Sequence, residues 1–302
     1  MTTSPEAGPD ESPTTPDGAP TPASSPPTFR RTRMDGALFD QVHLAGARFH
    51  LVDLSGSRFS NVYLQHSVIS GAVLHDVQIS GDLRRLSVNG VDVVPFVEAE
   101  LDRRHPDRRL MRATDADGLR TAWARLDELW AGTVERARAL EARRSGLVHE
   151  RVAGEWSFVE TLRHLVFATD AWVLRALLGD PAPYHPLIVP HDEESENPGL
   201  PWDPHARPSL DEALEAWHDR RRRVADVLRD LTDTDLAGRT EPVDAPGYPP
   251  PDRYPVRGLL QGVVGEEWEH RLFAERDLDV LERGLDDAPA GPPHGIPAVD
   301  AP

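Results

Sequence analysis

The sequence of 302 residues contains no cysteine, which excludes disulfide bonds, thiolate metal ligands and a cysteine nucleophile. Any thiol that takes part in its chemistry must therefore come from another molecule. Lysine is also absent, so all 33 basic residues other than histidine are arginines, against 51 acidic residues. The net charge of −18 argues against a nucleic-acid partner, because lysine and arginine supply most of the affinity for phosphate backbones.

Long apolar segments are missing as well. No run approaches the roughly 20 apolar residues that span a bilayer. Residues 1–33 also lack the pattern of a signal peptide, in which a basic stretch precedes an apolar one. We therefore expect a cytoplasmic location and no membrane partner.

Proline is abundant and unevenly distributed. Almost all of the 29 prolines fall in four segments, residues 1–33, 179–208, 240–255 and 285–302. Because proline interrupts helices and strands, regular elements are expected between these segments. The terminal segments contain too little apolar surface to offset the entropy of ordering. Residues 1–33 are therefore predicted to be a disordered leader, and residues 285–302 a disordered tail.

A five-residue repeat occupies residues 34–83. Large apolar residues recur at every fifth position, and we call them the ladder: Phe39, Leu44, Phe49, Leu54, Phe59, Leu64, Ile69, Leu74 and Ile79. A small or β-branched residue lies two positions before each of them. Neither a helix nor a strand has this period. The chain is therefore predicted to turn a corner in every repeat, with two inward-facing positions per five residues.

This repeat resembles the pentapeptide-repeat family. The resemblance implies a short right-handed quadrilateral β-helix of slightly more than two coils, which is too short for the DNA-mimicking members of the family. A docking stub is expected instead. The histidines of the segment differ in their phase within the repeat, so we interpret them as surface residues rather than as a metal-binding stripe: His43, His50, His66 and His75.

After an arginine-rich connector over residues 84–114, the apolar spacing changes to that of helices, which marks a domain boundary. Four helices are predicted, over residues 115–142, 157–178, 209 to about 230, and 255–284. The second and third begin with capping boxes, and all four carry a seam with heptad-type spacing. Four seamed helices predict a mainly α fold, a bundle over residues 115–284.

Two of these seams contain ionisable residues, Glu160 and His164 on the second helix and Glu266 and His270 on the fourth. Glu266 and His270 are four residues apart and so lie on one face of their helix, while His164 can approach from a facing helix. A divalent metal would compensate for burying them. Two imidazoles and a carboxylate leave one tetrahedral position open, as in catalytic zinc sites, and nickel, iron or manganese also fits.

An alternative explanation needs no metal. Glu266 and His270 could form an ordinary hydrogen bond along their helix, with His164 as a buried histidine whose hydrogen bonds are satisfied by its surroundings. The spacing alone is compatible with both interpretations.

Two segments resemble the DinB superfamily: EWSFVETLRHL at residues 155–165 and EEWEHRLFAERDL at residues 266–278. The resemblance spans residues 115–283 and implies an up-down-down-up four-helix bundle with a divalent metal, usually held by three histidines. His164 and His270 match two of these positions, and Glu266 departs from the third. Glu160 and Asp170 become candidates to hydrogen-bond the ligands.

The same resemblance implies a function. Members of the superfamily include transferases and isomerases that use mycothiol, bacillithiol or glutathione, so a divalent metal, a low-molecular-weight thiol cosubstrate and a small-molecule substrate are expected. Hydrolysis by an activated water is an alternative reaction. A homodimer is compatible with the family. No individual catalytic residue is assigned.

Three questions stay open at the level of the sequence. The long loop over residues 180–208 is compatible with a lid over the site and with a disordered linker. The run Arg220–Arg223 is compatible with an anion site and with a solvated face. The whole protein could also be a non-catalytic scaffold that docks a partner through its pentapeptide-repeat stub.

Overall fold

The structure, a computed structural model, describes residues 27–286. Residues 1–26 of the predicted disordered leader and residues 287–302 of the predicted disordered tail lie outside these residues. The chain divides into two compact units between Val77 and Gln78. The boundary falls near the end of the predicted five-residue repeat.

In the first unit the backbone turns with the predicted period. A residue with positive φ occurs at every fifth position: Arg31, Gly36, Gln41, Gly46, Leu51, Gly56, Asn61, His66, Gly71, Asp76 and Gly81. Hydrogen bonds between residues three apart close several of the turns, for example from the amide of Ala47 to the carbonyl of Leu44 at 2.9 Å. The corner in every repeat is therefore confirmed.

The ladder side chains remain exposed. Each of the nine keeps between 48% and 73% of its surface accessible to solvent, and residues 27–81 contain no strand. The structure thus shows the five-residue turns without a buried interior along this segment. The quadrilateral β-helix stays a prediction.

The second unit begins with a small hairpin and two short helices. Strands β1 (Ser87–Val88) and β2 (Val91–Asp92) pair antiparallel. Helix α1 follows (Val94–Arg104), and then a 3₁₀ turn (Pro106–Arg112) that packs against the longer helices. The connector predicted for residues 84–114 is therefore a folded part of this unit.

Four long helices form the body of the second unit: α2 (Ala116–Arg143), α3 (Phe158–Thr169), α4 (Leu210–Asp230) and α6 (Val256–Asp286), with a short α5 (Asp233–Leu236) after α4. The side chains of Asp115, Ser157 and Ser209 cap the first three of these, which confirms the predicted starting points. None of the helices in the described part of the chain is apolar over enough of its length to cross a bilayer.

Helix α3 continues beyond Thr169 as a π-helical segment, Asp170–Leu177. Its wider hydrogen bonding is seen where the amide of Leu178 donates to the carbonyl of Val173, five residues earlier, at 2.9 Å. The segment ends at Gly179, whose φ of +78° belongs to the left-handed region that glycine adopts without strain. Gly179 is where the sequence predicts the helix to stop.

The long helices share one hydrophobic core. Helix α2 packs against α6 and α4, and α3 packs against α4 and α6. All seven residues of the α2 seam are buried: Leu119, Trp123, Leu126, Trp130, Thr133, Ala137 and Leu140. The sequence predicts a seam on α6 that consists of Leu259, Val263, Glu266, His270 and Phe273. This prediction is only partly right, since Phe273 is 44% exposed and Glu267 is buried instead. Helix α6 contacts two neighbours, so two stripes of its surface are covered.

Both internal proline-rich loops are fastened to α3 by one arginine. The guanidinium of Arg175, 1% exposed, donates hydrogen bonds to four backbone carbonyls in the two loops: Pro181, Val243, Ala245 and Pro249. A tyrosine joins the loops to each other, because the Tyr184 hydroxyl donates to the Tyr248 carbonyl at 2.5 Å and accepts from its amide at 2.8 Å.

The hydrogen bonds between Arg175 and the two loops predict that a substitution of Arg175 lowers stability strongly. Replacing Arg175 by methionine keeps an apolar stem but removes the donor of one buried and three partly buried hydrogen bonds, so we expect the free energy of unfolding to fall by about 3 kcal/mol. Urea denaturation followed by circular dichroism measures this. The same substitution at Arg222, which is 67% exposed, is the matched control and should change stability by less than about 0.5 kcal/mol. Equal losses of unfolding free energy at Arg175 and Arg222 would show that the hydrogen bonds of Arg175 do not stabilise the loops.

Candidate metal centre

The structure brings His164, Glu266 and His270 together. His164 lies on α3, and Glu266 and His270 lie one turn apart on α6. Their ligand atoms are all within 4.8 Å of one another. Glu266 Oε2 is 3.0 Å from His270 Nε2 and 3.7 Å from His164 Nε2. Within residues 27–286 this is the only group of three or more histidine, aspartate or glutamate side chains arranged to hold an ion.

The tautomer of His164 follows from its other ring nitrogen. Nδ1 lies 3.0 Å from the carbonyl oxygen of Val189, and a carbonyl can only accept, so Nδ1 carries the hydrogen. The side chain is 1% exposed, and burial lowers the pKa of His164 to about 4. The ring is therefore neutral near pH 7, and Nε2 presents a lone pair towards Glu266.

Glu266 is held as a carboxylate. Burial acts to raise the pKa of Glu266 and the imidazole of His270, 3.0 Å away, acts to lower it, and the pKa lies well below the usual range. Its side chain is 30% exposed, against 14% for His270. Glu266 is thus the member of the group that solvent and small molecules reach most easily.

Aromatic rings surround the two histidines. The Trp156 ring lies 4.3 Å from the His164 ring and 5.8 Å from the His270 ring. Phe167 lies on the same helix as His164, with ring centres 5.9 Å apart, and Phe273 lies 5.8 Å from His270. An aromatic shell of this kind limits the access of water and lowers the local dielectric constant, which strengthens electrostatic interactions.

The loop over residues 180–208 covers this side of α3. Arg163, the neighbour of His164, donates to the backbone carbonyls of four loop residues: Leu187, Ile188, Asp203 and Ala206. The amide of Val189 donates back to the carbonyl of Arg163 at 3.3 Å. The loop is thus bound beside the site and is not a disordered linker, and its role as a lid stays a prediction.

The fastened loop also brings a further histidine to the site. The His191 ring lies 4.8 Å from the His164 ring, edge to face, and contacts Phe167 and Tyr248. The sequence places His191 in this loop and does not mark it as part of a site. No period links a loop residue to a helix seam, so the sequence holds no signal for this contact.

Glu160 and Asp170 have other partners. Glu160 caps its own helix through the amide of Ser157 and pairs with Arg151 at 2.6 Å. Asp170 pairs with Arg220 at 2.7 Å and accepts the amide of His185. None of the hydrogen bonds seen for these two carboxylates within residues 27–286 goes to His164, Glu266 or His270. Their role in supporting the ligands stays a prediction.

The arginine run on α4 is mostly used inside the protein. Arg220 pairs with Asp170, and Arg221 is 5% exposed and pairs with Glu267 and Asp127. Arg222 is exposed and pairs with Asp219. The arginine run is therefore neither an anion site nor a fully solvated face, because Arg220 and Arg221 bind carboxylates inside the protein.

Glu267 is the functional candidate that sequence reasoning missed. Its side chain is 1% exposed, although it lies directly beside Glu266. A second heptad-type seam along α6 could have revealed it: Leu260, Val264, Glu267, Arg271, Ala274 and Leu278. The first seam alone predicts one buried face, whereas this helix has two.

Glu160 gives a pH-dependent test of its observed role. Burial raises its pKa, but the ion pair with Arg151 and the bonds with Ser157 lower it to about 2 in the folded chain, against about 4.3 for a free glutamate. The stabilisation is present above pH 4.5 and is lost between pH 4.5 and 2. We expect Glu160→Gln to reduce the free energy of unfolding by about 1 kcal/mol at pH 7, since Arg151 is exposed.

Denaturation curves from pH 7 to pH 2.5 measure this, and the difference between the two proteins should shrink as the pH falls. The metal content of the variant should equal that of the native chain. A loss of metal without a loss of stability would instead give Glu160 a direct role at the centre.

Comparison with known proteins agrees with this architecture. A family model described as DinB superfamily matches residues 98–274, and eight copies of pentapeptide repeats match over residues 28–61 and 47–81. No curated protein and no solved structure matches the chain. The first match covers more than half of the chain and runs from within α1 to within α6, so that it includes α2, α3 and α4 in full. On this evidence the chain belongs to the DinB superfamily and carries an N-terminal pentapeptide-repeat segment.

Proposed function

We propose that this protein binds one divalent metal ion through His164, Glu266 and His270, inside an up-down-down-up four-helix bundle formed by α2, α3, α4 and α6. The observation that carries the proposal is the pairing of His164 Nε2 with Glu266 Oε2 across 3.7 Å. With Nδ1 bonded to a carbonyl and the ring neutral, both of these atoms are hydrogen-bond acceptors. They repel each other unless a cation lies between them.

The donor set fits a metal that acts on a substrate. Two imidazole nitrogens and one carboxylate oxygen are ligands for zinc, nickel, iron or manganese and leave a fourth tetrahedral position open. The Val189 carbonyl supports this set, because a second hydrogen bond of this type orients a ligating histidine. When bound, a divalent ion supplies Lewis acidity, which lowers the pKa of a thiol or water beside it.

We propose further that the reaction is a thiol-dependent transfer or isomerisation with a cosubstrate of the mycothiol or bacillithiol type and a small-molecule electrophile. The absence of cysteine supports an external thiol, and a reducing cytoplasm is the compartment that keeps such thiols available. The chain's own part is to orient the ligands, to leave Glu266 accessible and to exclude water with Trp156, Phe273 and the fastened loop.

A second candidate function rests on the first unit. Its ladder of nine large apolar side chains is at least 48% exposed, and exposed apolar surface of this extent is typical of protein interaction sites. On this alternative the protein is a non-catalytic scaffold, in which the pentapeptide-repeat segment, wound as a short quadrilateral β-helix, docks a partner.

Metal analysis separates the two functions. We expect tag-free native protein to contain about one equivalent of metal by inductively coupled plasma mass spectrometry, and the double variant His164→Ala, His270→Ala to contain almost none. The control is a double variant of surface histidines, His43→Ala with His75→Ala, which should keep the native metal content. Near-zero metal in every protein after reloading with zinc, nickel or manganese would leave the scaffold function.

A further inference from the structure

The residue next to the proposed ligand Glu266 is another carboxylate with a different set of partners. Glu267 points towards α4, and its side chain is 1% exposed. Its Oε1 accepts the indole N–H of Trp217 at 3.1 Å, and its Oε2 accepts from Arg221 at 2.5 Å. Both oxygens are thus bound by α4.

Arg221 is itself held in place. Its guanidinium lies 4.4 Å from the centre of the Trp123 ring and 4.9 Å from that of the Trp217 ring. Its Nε and Nη2 atoms donate to Asp127 on α2. A guanidinium stacked between two indoles and bonded to two carboxylates has little freedom to follow a moving partner.

Helix α2 also forms a hydrogen bond with the backbone of Glu267. The indole N–H of Trp130, 1% exposed, donates to the main-chain carbonyl of Glu267 at 3.2 Å. Three helices therefore meet at Glu267, through its side chain and its backbone. Glu266, the preceding residue of α6, lies on a different face of the helix and faces His164.

We infer that Glu267 is the positioning residue of the metal centre, which fixes the rotation of α6 so that Glu266 and His270 face His164. This inference rests on the proposed function. With a radius of about 5 to 6 Å including side chains, a rotation of α6 by about 20° would move its side chains by about 2 Å. Metal–ligand distances tolerate only about 0.2 Å. The anchor has to lie close to the ligands to hold them this well.

Stability alone is a weak reason to keep this pair. A buried ion pair is often no more stabilising than well-packed apolar residues of the same size, because both charges must be removed from water. A second anchor between α2 and α6 is available to compare, since Arg136 on α2 binds Glu282 on α6 at 2.8 and 3.1 Å. Arg136 also binds Glu275 and Asp279, and Glu282 is the carboxylate of this group that lies farthest along α6 from the ligands, three turns beyond His270.

The test compares the same substitution at the two anchors of α6 in the full chain. Glu267→Gln keeps the shape and an acceptor for Trp217 but removes the charge that Arg221 needs. We expect its dissociation constant for Co²⁺, measured by chelator competition, to rise about 10- to 100-fold, and the visible Co²⁺ absorption to change in shape. Glu282→Gln should lower stability while it leaves the dissociation constant and the spectrum as in the native protein.

A second variant separates positioning from folding. Glu267→Gln with Arg221→Met removes both charges, so its stability should recover towards that of the native chain while the weaker Co²⁺ binding persists. It also replaces the single variant if that one does not fold. Native-like Co²⁺ affinity and spectrum in the folded Glu267 variants would overturn the inference and leave the metal site standing. If the native chain itself binds no Co²⁺, the proposed function fails and the inference fails with it.

Discussion

Two adjacent carboxylates on α6, Glu266 and Glu267, are largely withdrawn from water and need polar or charged partners inside the helical unit. Residues of α3 and α4 supply these partners. Glu266 faces α3 and meets His164, while Glu267 faces α2 and α4 and meets Trp217 and Arg221. Because consecutive residues of a helix point about 100° apart, one turn of α6 serves two interfaces. A cation can satisfy the first side, and an arginine already satisfies the second.

Buried arginines also supply hydrogen-bond donors to the loops. Arg163 and Arg175 are buried on α3 and its extension, and each binds several backbone carbonyls of the proline-rich segments. Proline lacks an amide hydrogen, so such segments cannot form ladders of their own and depend on outside donors. A guanidinium offers five donors in a rigid plane, whereas lysine, which this chain lacks, offers a flexible point charge. The loop that carries Val189 and His191 is positioned in this way.

The two units follow different physical rules. The helical unit encloses a core in which α2 alone buries four large aromatic or leucine side chains to 1% exposure or less: Leu119, Leu126, Trp130 and Leu140. In the pentapeptide-repeat unit the turns recur every five residues through local backbone geometry, yet the ladder stays exposed. A repeat unit buries its apolar face only on neighbouring units, and eight pentapeptide repeats provide few of them.

The sequence by itself determined what depends on local chemistry and on period. The five-residue corners, the caps at Asp115, Ser157 and Ser209, and the seams of α2 and α4 all follow from residues within a few positions of each other. The approach of His164 to Glu266 and His270 could also be predicted, because ionisable residues at core positions of facing helices are placed by the seams. The helical period places these residues at core positions, and charged groups are costly to bury there without a partner. These two arguments are enough to identify them as a candidate metal centre.

Only the tertiary structure decided the rest. Glu267 is buried because α6 is covered on two sides, and a single seam does not show how many neighbours a helix has. Val189 and His191 reach His164 because Arg163 binds carbonyls more than twenty residues away, and a bond between a side chain and a distant backbone leaves no period in the sequence. Glu160 and Asp170 likewise took the arginines Arg151 and Arg220 as partners. Which cation meets which carboxylate is settled by distance in the folded chain, and that distance is set by helix packing.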